Sequence, residues 1–189
     1  EQIISNKKPV IAILPGSRKQ EIKKILNTVI KIVEYFPNHQ FIVAGAPNIE
    51  LSYYNSSLEN KNIKVIENKT YELLSISTAA IVTSGTATLE TALFKVPQVV
   101  CYKSSYFSYF IAKLIVKIKY ISLVNLIMDQ QIVKELIQQD CNKVNITNEL
   151  KKILDLNHRK SLLIKYDELT SVLGNYGTSK RVALDIIKK

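Results

Sequence analysis

Short continuous apolar runs recur along the chain, separated by segments in which apolar residues return every three or four positions. Val10–Leu14, Gln40–Gly45, Ile63–Ile66, Ala79–Val82 and Gln98–Cys101 are runs of the first kind. They are short and alternate little, so they predict strands buried on both faces. Between them, Lys19–Phe36, Asn48–Ser56, Thr70–Ser77 and Thr88–Phe94 predict helices. In the first helix Ile22, Ile25, Leu26, Val29, Ile30 and Val33 share one face, and Lys23, Lys24, Lys31 and Glu34 fall largely off it. Pro37-Asn38 stops it. Strands alternating with helices imply right-handed crossovers and an α/β fold, a Rossmann-like parallel sheet flanked by helices. After Cys101 the pattern turns mainly helical. Residues Lys151–Lys189 predict two helices joined at Gly174-Asn175-Tyr176-Gly177, within a helical tail spanning residues 146–189. One domain is expected over residues 1–189, since about 100–200 residues per domain is usual.

Two strand-to-helix turns carry the candidate chemistry. Ser84-Gly85-Thr86-Ala87-Thr88-Leu89-Glu90 follows the run Ala79–Val82 and opens a predicted helix. Small residues and hydroxyls there let backbone N–H groups approach an anion, and the helix start adds partial positive charge. Glu90, near the first turn, is placed to accept hydrogen bonds from sugar hydroxyls. An ordinary helix capped by Thr86 or Thr88 fits the same residues. The second turn, Pro15-Gly16-Ser17-Arg18, ends the first strand. Gly16 is free to take backbone angles closed to other residues, Ser17 is a candidate N-cap, and Arg18 offers a fork of donors to phosphate. A pair of such turns suits an open sheet that binds ligands beyond its strand ends. Neither turn has the glycine-rich dinucleotide or P-loop pattern. Gly45-Ala46-Pro47 reads as a plain turn closing the second strand.

Charge and composition narrow the partners. The formal charge of +10 is spread along Lys-rich helices, which suits solvated faces and anionic partners such as sugar nucleotides, lipid phosphates or a membrane surface. No nucleic-acid module or zinc-ligand spacing is recognisable. Cys101 and Cys141 are too few for a disulfide framework or metal site. Cys101 is expected to be a buried apolar residue. His39 and His158 have no acid or Cys at a ligand spacing and read as surface residues. No Asp-x-Asp pattern occurs, so no metal site and no cofactor are expected, and leaving-group charge would fall to helix dipoles, hydroxyls and Arg18. No apolar run reaches the ~20 residues of a membrane span. Tyr102–Tyr120 mixes aromatics with Lys103, Lys113, Lys117 and Lys119. It reads as a core-packed helix with a Lys edge or an interfacial membrane helix.

The motifs together resemble a known family. Pro15-Gly16-Ser17-Arg18 with Glu21-Ile22, then Ser84–Glu90, then Ile121-Ser122-Leu123-Val124-Asn125-Leu126-Ile127, then Glu135-Leu136-Ile137-Gln138 look like the ordered motifs of lipid-A-disaccharide synthases. Ser179-Lys180-Arg181-Val182-Ala183 resembles the closing helix, and the likeness runs from about Pro9 to the end. One departure is Val124, where the family commonly has Pro. The resemblance implies the C-terminal, donor-binding half of a two-domain GT-B glycosyltransferase, with the N-terminal acceptor domain absent; in such a half the Gly45-Ala46-Pro47 turn borders the cleft, and Tyr102–Tyr120 could contact the donor's acyl chains. It further implies a UDP-activated acylated glucosamine donor, a lipid monosaccharide acceptor held by the missing domain, and release of UDP with inversion. Implied substrate contacts are Gly16, Ser17, Arg18, Ser84, Gly85, Thr86, Ala87, Thr88, Glu90, Asn125, Glu135 and Gln138. Glu135 and Gln138 are read as sharing one helix face. The catalytic base is expected in the missing domain, so this chain alone should not turn over. A cytoplasmic protein, peripheral at the inner membrane, is expected, as is a homodimer by exchange of the terminal helix. The alternatives are a donor half of another GT-B UDP-N-acetylglucosamine transferase, a UDP-sugar epimerase, or a non-catalytic basic lipid- or polyanion-binding module.

Overall fold

The computed structural model describes residues 8–58, 63–83, 85–103 and 119–174. Six parallel strands form its sheet: β1 (Val10–Leu14), β2 (Gln40–Gly45), β3 (Lys64–Glu67), β4 (Ser77–Thr83), β5 (Gln98–Tyr102) and β6 (Lys134–Ile137). Their spatial order is β3-β2-β1-β4-β5-β6. The chain winds outward from β1 to β3, then returns to the other side of β1 to lay down β4. Strands β1 and β4 therefore flank the point where the winding reverses, and a crevice opens there beyond their carboxyl ends.

The first predicted strand is the sheet's centre, and its burial says why. Val10, Ile11, Ala12, Ile13 and Leu14 are all buried, with helices covering both faces. Ile11 and Ile13 point into the larger core cluster, Val10, Ala12 and Leu14 into the smaller. Truncating Ile13 to Ala would cost about 2–5 kcal/mol. Helix α1 (Lys19–Val29) buries Ile22, Ile25, Leu26 and Val29 on one stripe, as the spacing predicts. It stops earlier than the predicted Phe36. The β-branched run Thr28-Val29-Ile30 is a weak helix former, and the Thr28 hydroxyl donates back to the Lys24 carbonyl at 3.0 Å. A 3₁₀ turn at Val33–Tyr35 then drops Phe36 into the core beside Phe41.

The remaining helices are α2 (Leu51–Leu58), α3 (Thr70–Ser75), α4 (Thr86–Leu93), α5 (Leu123–Met128), α6 (Lys143–Leu154) and α7 (Leu156–Leu173). Several expectations are corrected here. Residues 134–137 pair with β5 as a parallel strand, so Glu135 and Gln138 do not share a helix face. The pattern in Lys134–Gln138 admits a helix, but only four residues pair, and pairing along β5 decides. Arg18, not Ser17, occupies the N-cap of α1, and Gly85, not a threonine, that of α4. The tail has a further break at Asp155, whose carboxylate accepts from the backbone of Asn157 and His158 and starts α7. His39 and His158 are half-buried rather than surface residues. Gly174 ends α7 as expected, and Cys101 and Cys141 are both buried free thiols. Most of the Tyr102–Tyr120 segment and the terminal helix predicted after Gly174 lie outside the described residues. Among the described residues no helix is long and apolar enough to cross a membrane.

Candidate active site

The crevice at the winding reversal has a volume of about 300 Å³. Leu14–Ser17 form one wall, Ala44–Pro47 a second, and Thr83 with Gly85–Ala87 and Glu90 a third. Gly16 sits at φ +91°, a conformation that L side chains rarely adopt. A Cβ there would also meet Thr83 Cγ2 at 3.4 Å, so the two turns pack directly on each other. Gly85 sits at φ +134° with open space around it. Its backbone angle, rather than crowding, calls for glycine.

The walls are braced from behind. The Ala46 N–H donates to the Tyr54 hydroxyl at 2.8 Å, and Tyr54 is fully buried. Burial raises the Tyr54 pKa, so its oxygen stays a neutral hydroxyl at physiological pH. Asn48 Nδ2 donates to the Ser17 carbonyl at 3.3 Å, and the Tyr53 hydroxyl donates to the Lys19 carbonyl at 2.7 Å. The turns after β1 and β2 thus hold one another in place.

The start of α4 lines the opening through Thr86 and Ala87. Their N–H groups have no helix carbonyl four residues back to receive them, and the eight-residue helix adds a partial positive charge. Glu90 lies one turn further in and is half-buried. Its carboxylate has no hydrogen-bond or ion-pair partner among the described residues. Thr88 faces the other way. It is fully buried, its hydroxyl donates to the Gly85 carbonyl at 2.8 Å, and the same oxygen accepts the Leu123 N–H at 3.2 Å.

The predicted site residues therefore divide. Gly16, Ser17, Gly85, Thr86, Ala87 and Glu90 line the crevice together. Ser84 lies outside the described residues. Arg18 stands beside the lining, 78% exposed, with Nη1 3.0 Å from the Glu21 carboxylate. An exposed pair of this kind is worth at most about 1 kcal/mol, so the guanidinium is readily recruited by an anion. Asn125, Glu135 and Gln138 do not line the crevice. Asn125 Nδ2 donates to the Val133 carbonyl and to Glu135, and its Oδ1 accepts from Ile132 and Val133. Glu135 accepts from the Ile121 and Ser122 N–H groups and from the Ser122 hydroxyl. Gln138 is buried at φ +51°, its N–H on the Tyr102 carbonyl. Asn125 and Glu135 instead fix the start of α5, and α5 holds α4 through the Leu123–Thr88 bond. Sequence reasoning missed Thr83 and Tyr54, which signal themselves only through burial and packing, and it read Gly45-Ala46-Pro47 as a plain turn where the structure puts it on the crevice wall, as the family resemblance implied.

Comparison with known proteins places this arrangement in a family. The model of the Lipid-A-disaccharide synthetase family matches residues 1–181. The chain belongs to the lipid-A-disaccharide synthase family. A relative of that name from Anaeromyxobacter dehalogenans is 34% identical over 185 residues, covering 94% of this chain and 48% of its own length. Another from Coxiella burnetii is 35% identical over 181 residues, covering 93% and 48%. The chain thus spans about half the length of the curated relatives it matches. Among solved structures, the calicheamicin glycosyltransferase CalG4 superposes over 100% of this chain and 43% of its own, with a TM-score of 0.65 at 13% identity. A UDP-GlcNAc 2-epimerase from Neisseria meningitidis, solved with UDP-GlcNAc, covers 99% and 46%, with a TM-score of 0.58 at 18% identity. At such identities these two attest the fold alone, a Rossmann-like domain of the GT-B type.

Proposed function

We propose that this chain is the donor-binding half of a lipid-A-disaccharide synthase. The observation that carries the reading is the crevice itself: two anion-friendly turns and an unpartnered carboxylate converge at the reversal point of a parallel sheet. The donor's diphosphate would sit at the start of α4, against Gly85, Thr86 and Ala87, with Gly16, Ser17 and a recruited Arg18 opposite. The Glu90 carboxylate would accept from the ribose hydroxyls. The acceptor's 6-hydroxyl attacks the anomeric carbon of UDP-2,3-diacylglucosamine, a base removes its proton, and UDP departs with inversion. Charge developing on the leaving diphosphate meets N–H groups and a helix start fixed before the reaction, so no reorganisation is needed at the moment of bond breaking.

No side chain lining the crevice is placed as a convincing base for the acceptor. That role and the acceptor site belong, in this reading, to the half of the relatives' length that this chain does not span. The chain alone binds donor without completing transfer. Solved neighbours named for UDP and UDP-GlcNAc complexes support a uridine nucleotide here.

Calorimetric titration with UDP in the presence of chelator, with ADP as control, tests the proposal. Selective UDP binding that weakens in Glu90→Ala and Arg18→Ala supports it. Equal binding of ADP and UDP, or binding untouched by both substitutions, would favour a general polyanion-binding module instead.

A further inference from the structure

Thr83 is the last residue of β4, is 4% exposed, and lies between the two turns of the crevice. Its Oγ1 is buried without a hydrogen-bond partner. The other buried threonine hydroxyls in the described structure all have one: Thr28 on the Lys24 carbonyl, Thr88 on Gly85, Thr91 on Ala87 and Thr147 on Lys143. Those four sit in helices, where a carbonyl three or four residues back is in reach. Thr83 ends a strand and has no such acceptor. A buried hydroxyl left unpaired destabilises the ligand-free fold, because it has given up water and gained nothing. Apolar contact alone would be met as well by valine, which has the same shape.

We infer that Thr83 is a ligand-contacting residue whose hydroxyl donates to a phosphoryl oxygen of the bound nucleotide diphosphate. The inference rests on the donor-binding reading above. Thr83 Cγ2 now faces Gly16. One neighbouring staggered rotamer puts Oγ1 in that place, against Gly16 on the wall of the crevice. A phosphoryl oxygen is the matching acceptor because the α4 N-terminus lies on one side and the turn leading to Arg18 on the other; the Glu21 carboxylate, whose Oε2 lies 3.6 Å from a Cβ placed on Gly16, is itself paired with Arg18. The hydroxyl is unpaired without ligand and paired with it, so it strengthens binding of a diphosphate over that of a bare nucleoside.

Thr83→Val separates the roles by sign. Removing an unpaired hydroxyl without changing shape should leave the ligand-free melting temperature equal or higher. UDP affinity should fall about tenfold, the loss of one hydrogen bond to a charged acceptor. Uridine affinity should be unchanged, and Thr83→Ser should keep UDP affinity within about threefold, since it keeps the donor. If wild type binds UDP and Thr83→Val binds it equally well, this inference falls while the donor site stands. Equal loss for UDP and uridine would move the hydroxyl's contact to the nucleoside and overturn the phosphoryl assignment. If wild type binds no UDP, both the donor reading and this inference fail. Should valine lower the melting temperature, the Thr83→Ser and Thr83→Ala pair makes the same comparison, and equal UDP affinity in those two overturns the inference.

Discussion

The crevice and the Asn125–Glu135 cluster use similar residues to opposite ends. Each has a carboxylate, hydroxyls and the start of a helix. Around Asn125 the polar atoms close on one another: both ends of the amide are engaged, and Glu135 receives hydrogen bonds from Ile121, Ser122 and Asn125. In the crevice, Thr83 Oγ1 is buried without a partner, Glu90 has no side-chain partner among the described residues, and the first residues of α4 line the cavity. A closed polar cluster is a brace. An open one facing a cavity is left free to meet a ligand. The two are mechanically joined, because Leu123 of the braced segment donates to Thr88 beneath the Gly85 turn.

Breaking the brace gives the largest effect. Asn125→Ala leaves the Val133 N–H without its acceptor and takes a donor from the Val133 carbonyl and from Glu135, while the Ile132 N–H keeps the Gln130 carbonyl and Glu135 keeps Ser122. Denaturant unfolding should show a loss of about 3 kcal/mol, since each unsatisfied buried group costs about 1–3. An unchanged midpoint would mean that water replaces the amide, and the contrast drawn above would fail.

In the crevice the same kind of removal should spare the fold and harm the ligand. For Glu90→Ala, stability within about 0.5 kcal/mol of wild type and UDP affinity lower by about thirtyfold are expected, the size of a charged hydrogen-bond acceptor. Paired thermal melts and titrations measure both. A destabilised Glu90→Ala with intact UDP binding would place Glu90 with the brace. Arg18→Ala is expected to be milder, about fivefold on UDP, shrinking as salt rises, because the side chain is exposed and its ion pair is screened.

His39 supplies the smallest test and a control. Its Nδ1 is also buried without a partner, yet it does not line the crevice. Burial lowers its pKa from the ordinary 6.5. The unfolded chain therefore takes up a proton near pH 6.5 that the folded chain refuses until lower pH. Stability should decline as pH falls through about 6.5 and level off below the folded pKa. His39→Gln should flatten that decline without changing UDP binding at neutral pH. An effect on UDP would show that an unpartnered atom matters for binding even away from the cavity.

Several features of the fold were legible because they are local. The five apolar runs became β1 to β5 with small shifts at their ends, since buried parallel strands need continuous apolar sequence. The two turns were legible through glycine and hydroxyl residues beside strand ends. The short β6 was not, because four residues beginning Lys-Glu carry a helix-compatible pattern and only a neighbour decides. Asn125 and Glu135 were recognised as motif residues, but a motif does not say whether its polar atoms turn inward or outward. Thr83 carried no signal, because a threonine ending a strand is ordinary until its hydroxyl is found buried and unpaired.

The sequence by itself determined the alternation of strand and helix, the two anion-friendly turns and the family. These follow from periodicity, backbone conformational preference and residue order, which act over a few positions. The tertiary structure alone decided the strand order, and with it the crevice between β1 and β4. It also decided which polar groups are closed upon each other and which are left open. Both depend on contacts between residues far apart in the chain, where burial fixes the cost of an unpaired polar atom and neighbours fix whether it is paired.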